Sequence, residues 1–394
     1  MRIRYHRLRR AAAVLLGIVF LLSGLLKIED PVGTMLIVTE YFKFLHLSFL
    51  APAAKVLGIL LGSFEASLGV VLITGIWRKA AAMCSYLLLF LFTVITLLVW
   101  IFNPSMDCGC FGQAIHLTHA QSFFKNLVLL ALAVIAFTPF QNFGVPPKRK
   151  RITAALAMLA VLYAVLYSNT HLPIVDFTDY DWGAELFASL DDDVEGDNHY
   201  REAYLYEKDG QQGQFLYGAP DSSWNLVAVD TLFRERLNDP SAQFPILGFS
   251  DAEGEYQDRL AAEGSVVVFS VYDPAHAPWE RIQKQYHAVE EAGGRPLLLV
   301  ASYPGEVDAF GIPFDLAVYY ADYKTLITLN RSNGGGSHFH EGELINKWIS
   351  RGFPKDIHYE LSADPVDLSI RYISQRRIKV QGFCLYLAAL LLLV

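Results

Sequence analysis

The sequence predicts a membrane α-helical bundle of four to five spans, joined to an α/β domain outside the membrane. The first part of the chain contains several apolar runs that are nearly long enough to cross a bilayer. Charged residues are distributed unevenly between the first and second parts of the chain. Residues 1–169 carry 15 Lys and Arg against 5 Asp and Glu, whereas residues 170–394 carry 17 against 35. A basic, apolar half followed by an acidic, mixed half is typical of a membrane domain with a water-exposed domain. The acidic second half argues against a nucleic-acid partner.

Five apolar segments predict the membrane helices, since each approaches the ~20 residues that cross a bilayer. The first follows five arginines and lacks a small-residue cleavage site, so we interpret it as a retained helix rather than a signal peptide. Between the first two, "GTMLIVTEYFKFLHLSFL" is interrupted by Glu40, Lys43 and His46, which predicts an amphipathic interfacial helix. The predicted spans are 11–27, 57–76, 80–102, 123–140 and 152–167.

Three basic clusters predict the orientation. The N-terminal arginines, Arg78 with Lys79, and the run 148–151 all fall on one side, which the positive-inside rule makes cytoplasmic. The loop around residues 103–120 and everything from about Ser168 then lie outside. In a bacterium this is the periplasmic face of the inner membrane, where thiols are oxidised.

The apolar tail "GFCLYLAALLLLV" is only about 13 residues long, which is short for a span. Arginines and a lysine precede it, and they would lie outside if the tail crossed inward. Three interpretations stay open: a re-entrant helix, a packed helix, or a span completed in a longer form of the chain.

Two charged residues lie in the predicted spans. Glu65 is mid-span, and intramembrane carboxylates are costly, so a functional role is one hypothesis. The other is a protonated or hydrogen-bonded packing residue, helped by nearby small residues, which are Gly62, Ser63 and Gly69. Lys27 ends the first span and is expected to snorkel to the interface. A pair between Lys27 and Glu65 is an open alternative.

The loop "FNPSMDCGCFG" places Cys108 and Cys110 one residue apart, before a helix expected to start near Thr118 or Gln121. Gly109 and Gly112 allow a tight bend. A disulfide in so small a ring is strained and therefore oxidising, which suits thiol–disulfide exchange. Asp107 would raise a thiol pKa and counts against high reactivity.

Three structural interpretations compete with a redox role for this loop. The cysteines form a static disulfide, contribute to a metal site with His116 and His119, or are two buried small residues. Their spacing is not a usual zinc pattern. Cys84 and Cys384 lie in apolar runs and are interpreted as small buried hydrophobes.

These residues resemble a known family. "FLLSGLLKIEDPVGTM…EYF" is similar to the first-helix signature of DoxX-like membrane proteins, and "SFEASLGVVLITG" and "DCGCFG" resemble the MauE branch linked to methylamine utilisation. The resemblance covers about residues 8–168. It implies a redox accessory that assists disulfide formation in a periplasmic partner, with Phe111 and its neighbours in "DCGCFG" supporting the cysteines. Four-helix quinone-linked thiol oxidoreductases are similar in outline, which makes a quinone the candidate cofactor, although their Cys-x-x-Cys is absent here.

Residues 169–245 are expected to form a linker and a hairpin, since "YREAYLYEKDGQQGQFLYG" alternates around a turn. "FPILGFSDAEGEYQDRLAAEG" resembles the opening strand and turn of a further β-containing unit. Over 246–352 the pattern predicts strand "SVVVFSVYD", helix "APWERIQKQYHAVEEAG" and strand "RPLLLVAS". A short helix "GEVDAFG", strand "FDLAVYYAD", helix or turn "TLITLNRSN" and hairpin "GSHFHEGELINKW" follow. Residues 353–394 form a C-terminal segment.

That order resembles a thioredoxin-like domain, and the outer domains fused to DoxX-like proteins of the Bacteroidetes type. Its redox position reads "VYDPAHAPWERI", without cysteine, and no proline precedes the hairpin. The domain is therefore expected to bind or orient a partner, or to cover the cysteine loop. His338 and His340 share one strand face: they bind metal with His276 or His287, or they line a solvated hairpin face.

The leading functional hypothesis is a membrane thiol–disulfide redox accessory, in contact with lipid and acting on extracytoplasmic protein thiols or disulfides through Cys108 and Cys110. A non-enzymatic membrane scaffold whose outer domain recruits a partner is the second. A small-solute or metal transporter that uses Glu65 is the third.

Overall fold

A computed structural model describes residues 2–104, 106, 109–115, 117–138, 147–181, 183–184, 186, 200–208, 211–215, 225–233, 247–313 and 316–392. The chain divides into two compact units, Met1–Thr178 with Ile370–Val394, and Asp179–Ser369. The first unit is helical and apolar, and the second contains a mixed five-stranded sheet. The predicted fold class, a membrane helical bundle followed by an α/β domain, is confirmed.

The first unit holds the membrane helices. Among the described residues, five helical segments are long and apolar enough to cross a membrane: His6–Glu29, Ser48–Thr74, Arg78–Phe102, His119–Phe137 and Lys148–Ser168. This is the larger of the two predicted numbers of spans. The unit begins with α1 (Arg2–Glu29), α2 (Pro31–Phe44), a 3-10 turn (Ser48–Ala53), α3 (Ala54–Thr74), α4 (Arg78–Phe102), the short strand β1 (Cys110–Gln113), α5 (His119–Phe137) and α6 (Lys148–Ser168).

Glycines bring α1 and α3 into backbone contact. A Cβ atom built on Gly24 would lie 2.5 Å from the carbonyl oxygen of Gly62 and would also overlap the backbone of Ala66. One built on Gly69 would lie 2.5 Å from the amide nitrogen of Leu21. In the bilayer, where apolar burial does not drive association, such close approach is what holds helices together. The glycines on this contact are Gly17, Gly24, Gly62 and Gly69.

Local capping explains two helix starts. Asp30 accepts a hydrogen bond from the Gly33 amide at 2.8 Å, and Pro31 opens α2, so the chain turns directly from α1 into α2. Thr118 and Gln121 form a capping box at α5, which confirms the predicted start. The segment predicted as interfacial is thus helical as α2, with its first turn buried.

The apolar tail belongs to α11 (Pro365–Leu392), a continuous helix of 28 residues. Its second half packs beside α6 in the first unit: Lys379 Nζ donates to the Tyr167 hydroxyl at 3.3 Å, and the Tyr386 hydroxyl to the Leu156 carbonyl at 3.2 Å. These contacts agree with the interpretation of the tail as a packed helix.

The second unit is built on a sheet with strand order β7-β6-β5-β8-β9. Strands β5, β6 and β7 are parallel, and β8 and β9 form an antiparallel hairpin beside β5. The elements are α7 (Arg259–Ala262), β5 (Ser265–Val271), α8 (Trp279–Glu291), β6 (Arg295–Val300), β7 (Val318–Tyr320), α9 (Tyr323–Leu329), β8 (Gly335–His340), β9 (Glu343–Trp348) and α10 (Ile357–Ser362). The predicted strands, helices and final hairpin are confirmed, and "GEVDAFG" lies in a 3-10 helix, Pro304–Phe310.

Helices cover both faces of this sheet, so β5 is buried along almost its whole length and is mostly apolar. Val266 and Val268 join one core cluster together with Leu326 of α9. Val267 and Phe269 join the cluster on the other face, which includes α8 residues. Side chains of a strand alternate between faces, and a strand covered on both sides therefore reads as a continuous apolar run.

A smaller antiparallel sheet, with order β3-β2-β4, is formed by β2 (Tyr200–Lys208), β3 (Gln211–Phe215) and β4 (Asn225–Phe233). The predicted hairpin is confirmed as β2 and β3, and its turn at 209–210 lies outside the described residues. The sequence did not predict β4. The expected opening strand is wrong for the described part of that segment, where residues 247–258 form only isolated bridges of Ser250 to Tyr256 and Tyr320.

Candidate functional site

The two charges predicted inside the membrane meet. Lys27 of α1 and Glu65 of α3 face each other across the glycine contact, with Nζ and Oε2 2.8 Å apart. Lys27 is 6% exposed and Glu65 is 0% exposed. The expectation that Lys27 snorkels to the interface is wrong, because a buried carboxylate is within its reach. Each charge offsets the desolvation cost of the other.

All three donors of the Lys27 ammonium group have acceptors. Besides Glu65, Nζ donates to Ser23 Oγ at 2.8 Å and to the Cys110 carbonyl oxygen at 2.7 Å. An ammonium group has three donors and no acceptor, so this set satisfies it completely. The buried lysine is therefore bound as a cation to one carboxylate, one hydroxyl and one peptide carbonyl.

Ser23 joins the same group, and the sequence did not single it out. Its Oγ lies 2.7 Å from Glu65 Oε2 and 2.7 Å from the Cys110 carbonyl oxygen. One hydroxyl has one proton, so Ser23 donates to one of these acceptors at a time while it accepts from Lys27. The available signal was its spacing, since residues four apart lie on one helix face.

The second carboxylate oxygen of Glu65 differs from the first. Oε1 is buried and makes no hydrogen bond to any residue that the structure describes.

The small residues that precede Glu65 in sequence make different contacts. Gly62 lies on the α1 contact, with a built Cβ 3.0 Å from Lys27 Cβ, whereas Ser63 donates to Ile59 of its own helix at 2.6 Å.

The cysteine loop returns to this group through Cys110, the first residue of β1, which packs on α1 and α2. Gly109 and Gly112 have φ of +59° and +60°, where other residues are strained. A Cβ on Gly109 would overlap Ile37 Cγ2 and lie 3.0 Å from Ile37 Cδ1. The glycines thus let the loop descend onto α2 and present the Cys110 carbonyl to Lys27.

Other predicted site residues have separate places. Phe111 lies under Lys125, whose Nζ is 4.8 Å from the ring centroid. Asp107, Cys108 and His116 lie outside the described residues. His119 Nε2 lies 3.1 Å from the Pro104 carbonyl oxygen. No group of three or more His, Cys, Asp or Glu that could hold a metal ion occurs among the described residues.

In the second unit, the loop after β5 is tied to the loop before β8. Asp273 donates its amide to Asn333 Oδ1 at 3.1 Å, and Asn333 Nδ2 donates to the Asp273 carbonyl at 2.7 Å. The Tyr272 hydroxyl donates to the Arg331 carbonyl at 3.2 Å, and burial raises the pKa of Tyr272 to about 12. The sequence between Cys110 and Cys384 contains no cysteine, so this loop has no thiol.

His338 is in the core of the hairpin. It is 2% exposed, its Nε2 lies 2.9 Å from Ser265 Oγ, and its ring stacks on Trp348 at a centroid distance of 6.0 Å. Burial, followed by the charge of His340, lowers the pKa of His338 to about 4. The expectation of a solvated face is wrong at His338, because β8 is an inner strand whose faces are both covered.

The fold and this group together define a membrane protein of several spans, with a buried ion pair that binds the Cys110 carbonyl of the loop between α4 and α5, and with an α/β domain. Residues 6–139, from α1 to the end of α5, match the family model of methylamine utilisation protein MauE. This match supports the MauE part of the predicted resemblance over these residues. No curated protein and no solved structure matches the chain.

Proposed function

We propose that this protein is a thiol–disulfide redox accessory, with Cys108 and Cys110 as the reacting pair and extracytoplasmic protein thiols or disulfides as substrates. The observation that carries the proposal is the binding of the Cys110 carbonyl by Lys27 and Ser23, each at 2.7 Å. A loop held to the bundle at the Cys110 peptide has a defined position for that cysteine. The MauE match over residues 6–139 supports the same function.

The exchange needs no further reactant. A thiolate of the partner attacks one sulfur of a Cys108–Cys110 disulfide, and a mixed disulfide forms while the other cysteine leaves as a thiolate. The second partner thiolate then attacks the mixed disulfide, so the partner is oxidised to a disulfide and Cys108 and Cys110 become two thiols. Every step is reversible, and the relative potentials decide the direction.

The location is part of the proposal. The three basic clusters favour a cytoplasmic N-terminus in a bacterial inner membrane, which puts the cysteine loop and the second unit in the oxidising periplasm. The DoxX-like signature of the first helix and a thioredoxin-like fold of the second unit are also parts of this proposal. The order β6-β5-β8-β9, with the hairpin antiparallel to β5, supports a thioredoxin-like core.

Because the second unit lacks a thiol after β5, it serves to bind or orient the partner. The Asp273–Asn333 hydrogen bonds close the position where a redox thioredoxin carries its cysteines, which favours a binding role over exchange. No specific contact favours the transporter hypothesis, because Lys27 already pairs with Glu65 Oε2.

The test is thiol trapping in intact cells, on chains in which Cys84 and Cys384 are replaced by Ala. Cells are acid-quenched, free thiols are blocked, and disulfides are reduced and labelled. The Cys108–Cys110 pair should change state between reducing and oxidising growth, and C108S or C110S should accumulate mixed disulfides with a partner. If the pair keeps one state in all conditions and C110S loses stability instead, the scaffold hypothesis replaces this proposal.

A further inference from the structure

We propose that Lys27 is a positioning residue for Cys110, which fixes the Cys110 peptide and sets a positive charge beside its sulfur, while Glu65 moderates that charge and Ser23 completes the attachment. The inference rests on the proposed function, because it assigns how the reacting pair is held and tuned. It extends that function to three side chains buried in the membrane unit, none of which carries sulfur.

The attachment is made to the backbone of Cys110. Its carbonyl oxygen has two donors within hydrogen-bond distance, Lys27 Nζ and Ser23 Oγ, both at 2.7 Å and both from α1. Hydrogen bonds to a charged donor are the stronger kind. Both donors lie on α1, four residues apart, so a rigid helix defines the position of the Cys110 peptide.

The sulfur cannot be far from this cation. Sγ is four bonds from the carbonyl oxygen of its own residue, and Lys27 Nζ is 2.7 Å from that oxygen, so Sγ lies within about 8 Å of Nζ whatever its rotamer. A nearby cation favours a thiolate, and a nearby carboxylate disfavours it. Glu65 Oε2 is 2.8 Å from Lys27 Nζ, and so it opposes the effect of Lys27 in part.

Other titratable groups surround the loop. Lys125 lies over Phe111, the next residue, and His119 opens α5. Glu40 is on α2, one turn beyond Ile37, and Asp107 precedes the cysteines in sequence. Neither Lys125 nor His119 has a described hydrogen bond to the Cys110 carbonyl, whereas Lys27 does. Removing the charge of Lys27 should therefore have the larger effect on Cys110.

This role of Lys27 predicts that substitutions of Lys27 and of Glu65 shift the midpoint of Cys110 thiolate formation in opposite directions. K27Q removes the cation and should move the midpoint of Cys110 thiolate formation to higher pH. E65Q keeps the size of the side chain, removes the anion and should move the midpoint downward. K27R keeps the cation and should stay close to the parent. A purely structural role of the pair predicts no opposite movement.

The experiment uses the full chain in detergent, with Cys84, Cys108 and Cys384 replaced by Ala so that Cys110 is the only thiol. The rate of iodoacetamide alkylation is measured from pH 5 to 10. The control is K79Q, at the first turn of α4, whereas the loop follows the last turn of that 25-residue helix. Circular dichroism and gel filtration show whether each variant is folded.

Opposite shifts in K27Q and E65Q, with K27R and K79Q unchanged, support the inference. Equal midpoints in all folded variants overturn it. If K27Q does not fold, the E65Q shift alone decides: a downward shift supports the inference, and an unchanged or raised midpoint overturns it. Failure of the proposed function is separate, since it is seen as an unchanging Cys108–Cys110 pair in cells, whatever the midpoints are.

Discussion

Lys27 Nζ lies 2.8 Å from Glu65 Oε2, inside the α1–α3 contact of the membrane unit, and neither side chain reaches the surface. A pair of this kind gains little over apolar residues of the same size, but the loss of one partner leaves a buried charge uncompensated. Removing one partner therefore costs more free energy of folding than replacing both partners with apolar residues.

The substitution K27M should destabilise the protein by about 3 kcal/mol or more, because it leaves Glu65 ionised or forces its protonation in the bilayer. The double variant K27M/E65L should recover much of that loss. Thermal unfolding in detergent, followed by tryptophan fluorescence, measures both. Strictly additive losses in the two single variants and the double variant would contradict a direct interaction.

Adding a methyl group at Gly24 should separate α1 from α3. G24A places a Cβ 2.5 Å from the Gly62 carbonyl oxygen, and backbone atoms do not move aside easily, so we expect a loss of about 1–3 kcal/mol. Gly382, on α11, has open space around it, and G382A is the matched control. Its expected effect is a small gain, because alanine favours helix more than glycine does.

The cysteine loop should depend on Gly109. G109A combines a φ of +59° with overlap of Ile37, so the loop should shift and Cys110 should lose its contact with Lys27. The midpoint of Cys110 alkylation should rise, as in K27Q, and should depend less on Lys27. The double variant G109A/I37A relieves the overlap but not the backbone strain. It should recover part of the parent behaviour, and no recovery would show that the strain alone matters.

The second unit should weaken at acid pH because of His338. Its folded pKa of about 4 lies below the ordinary value of 6.5, so the unfolded chain takes up the proton first. The stabilisation is complete above pH 6.5 and is lost as the pH falls toward 4, by roughly 3 kcal/mol in total.

Urea unfolding at a series of pH values, followed by tryptophan fluorescence, measures this dependence. H338Q should flatten the profile between pH 4 and 6.5. H340Q, on the same strand but half-exposed, should keep most of the slope. A profile that is unchanged in H338Q would assign the acid sensitivity to other groups.

The spans and the α/β order could be predicted because their signals are local. Hydropathy marks a membrane helix within one segment, and apolar runs mark strands that are covered on both faces. Lys27 and Glu65 could each be singled out for the same reason, since a charge inside an apolar run is conspicuous.

The assembly of the site could not be predicted. The pairing of Lys27 with Glu65 depends on the register of two helices, which the glycine contact fixes in three dimensions. A hydroxyl such as that of Ser23 is common in membrane helices, and a peptide carbonyl such as that of Cys110 has no sequence signal at all. The burial of His338 was missed because the hairpin adds an inner strand to the sheet, and the sequence does not show which strand lies inside.

The glycine-lined contact also bears on how the protein is made. While α1 is in the bilayer without α3, Lys27 has no counter-charge at membrane depth, and the same is true of Glu65 before α1 is in place. The pairing of the Lys27 charge with the Glu65 charge and the close approach of α1 and α3 therefore occur together when the protein is made. In a nascent chain that ends before α3, α1 should lie nearer the membrane surface or return to the insertion machinery. Quality control can therefore act before the loop that contains Cys108 and Cys110 is synthesised.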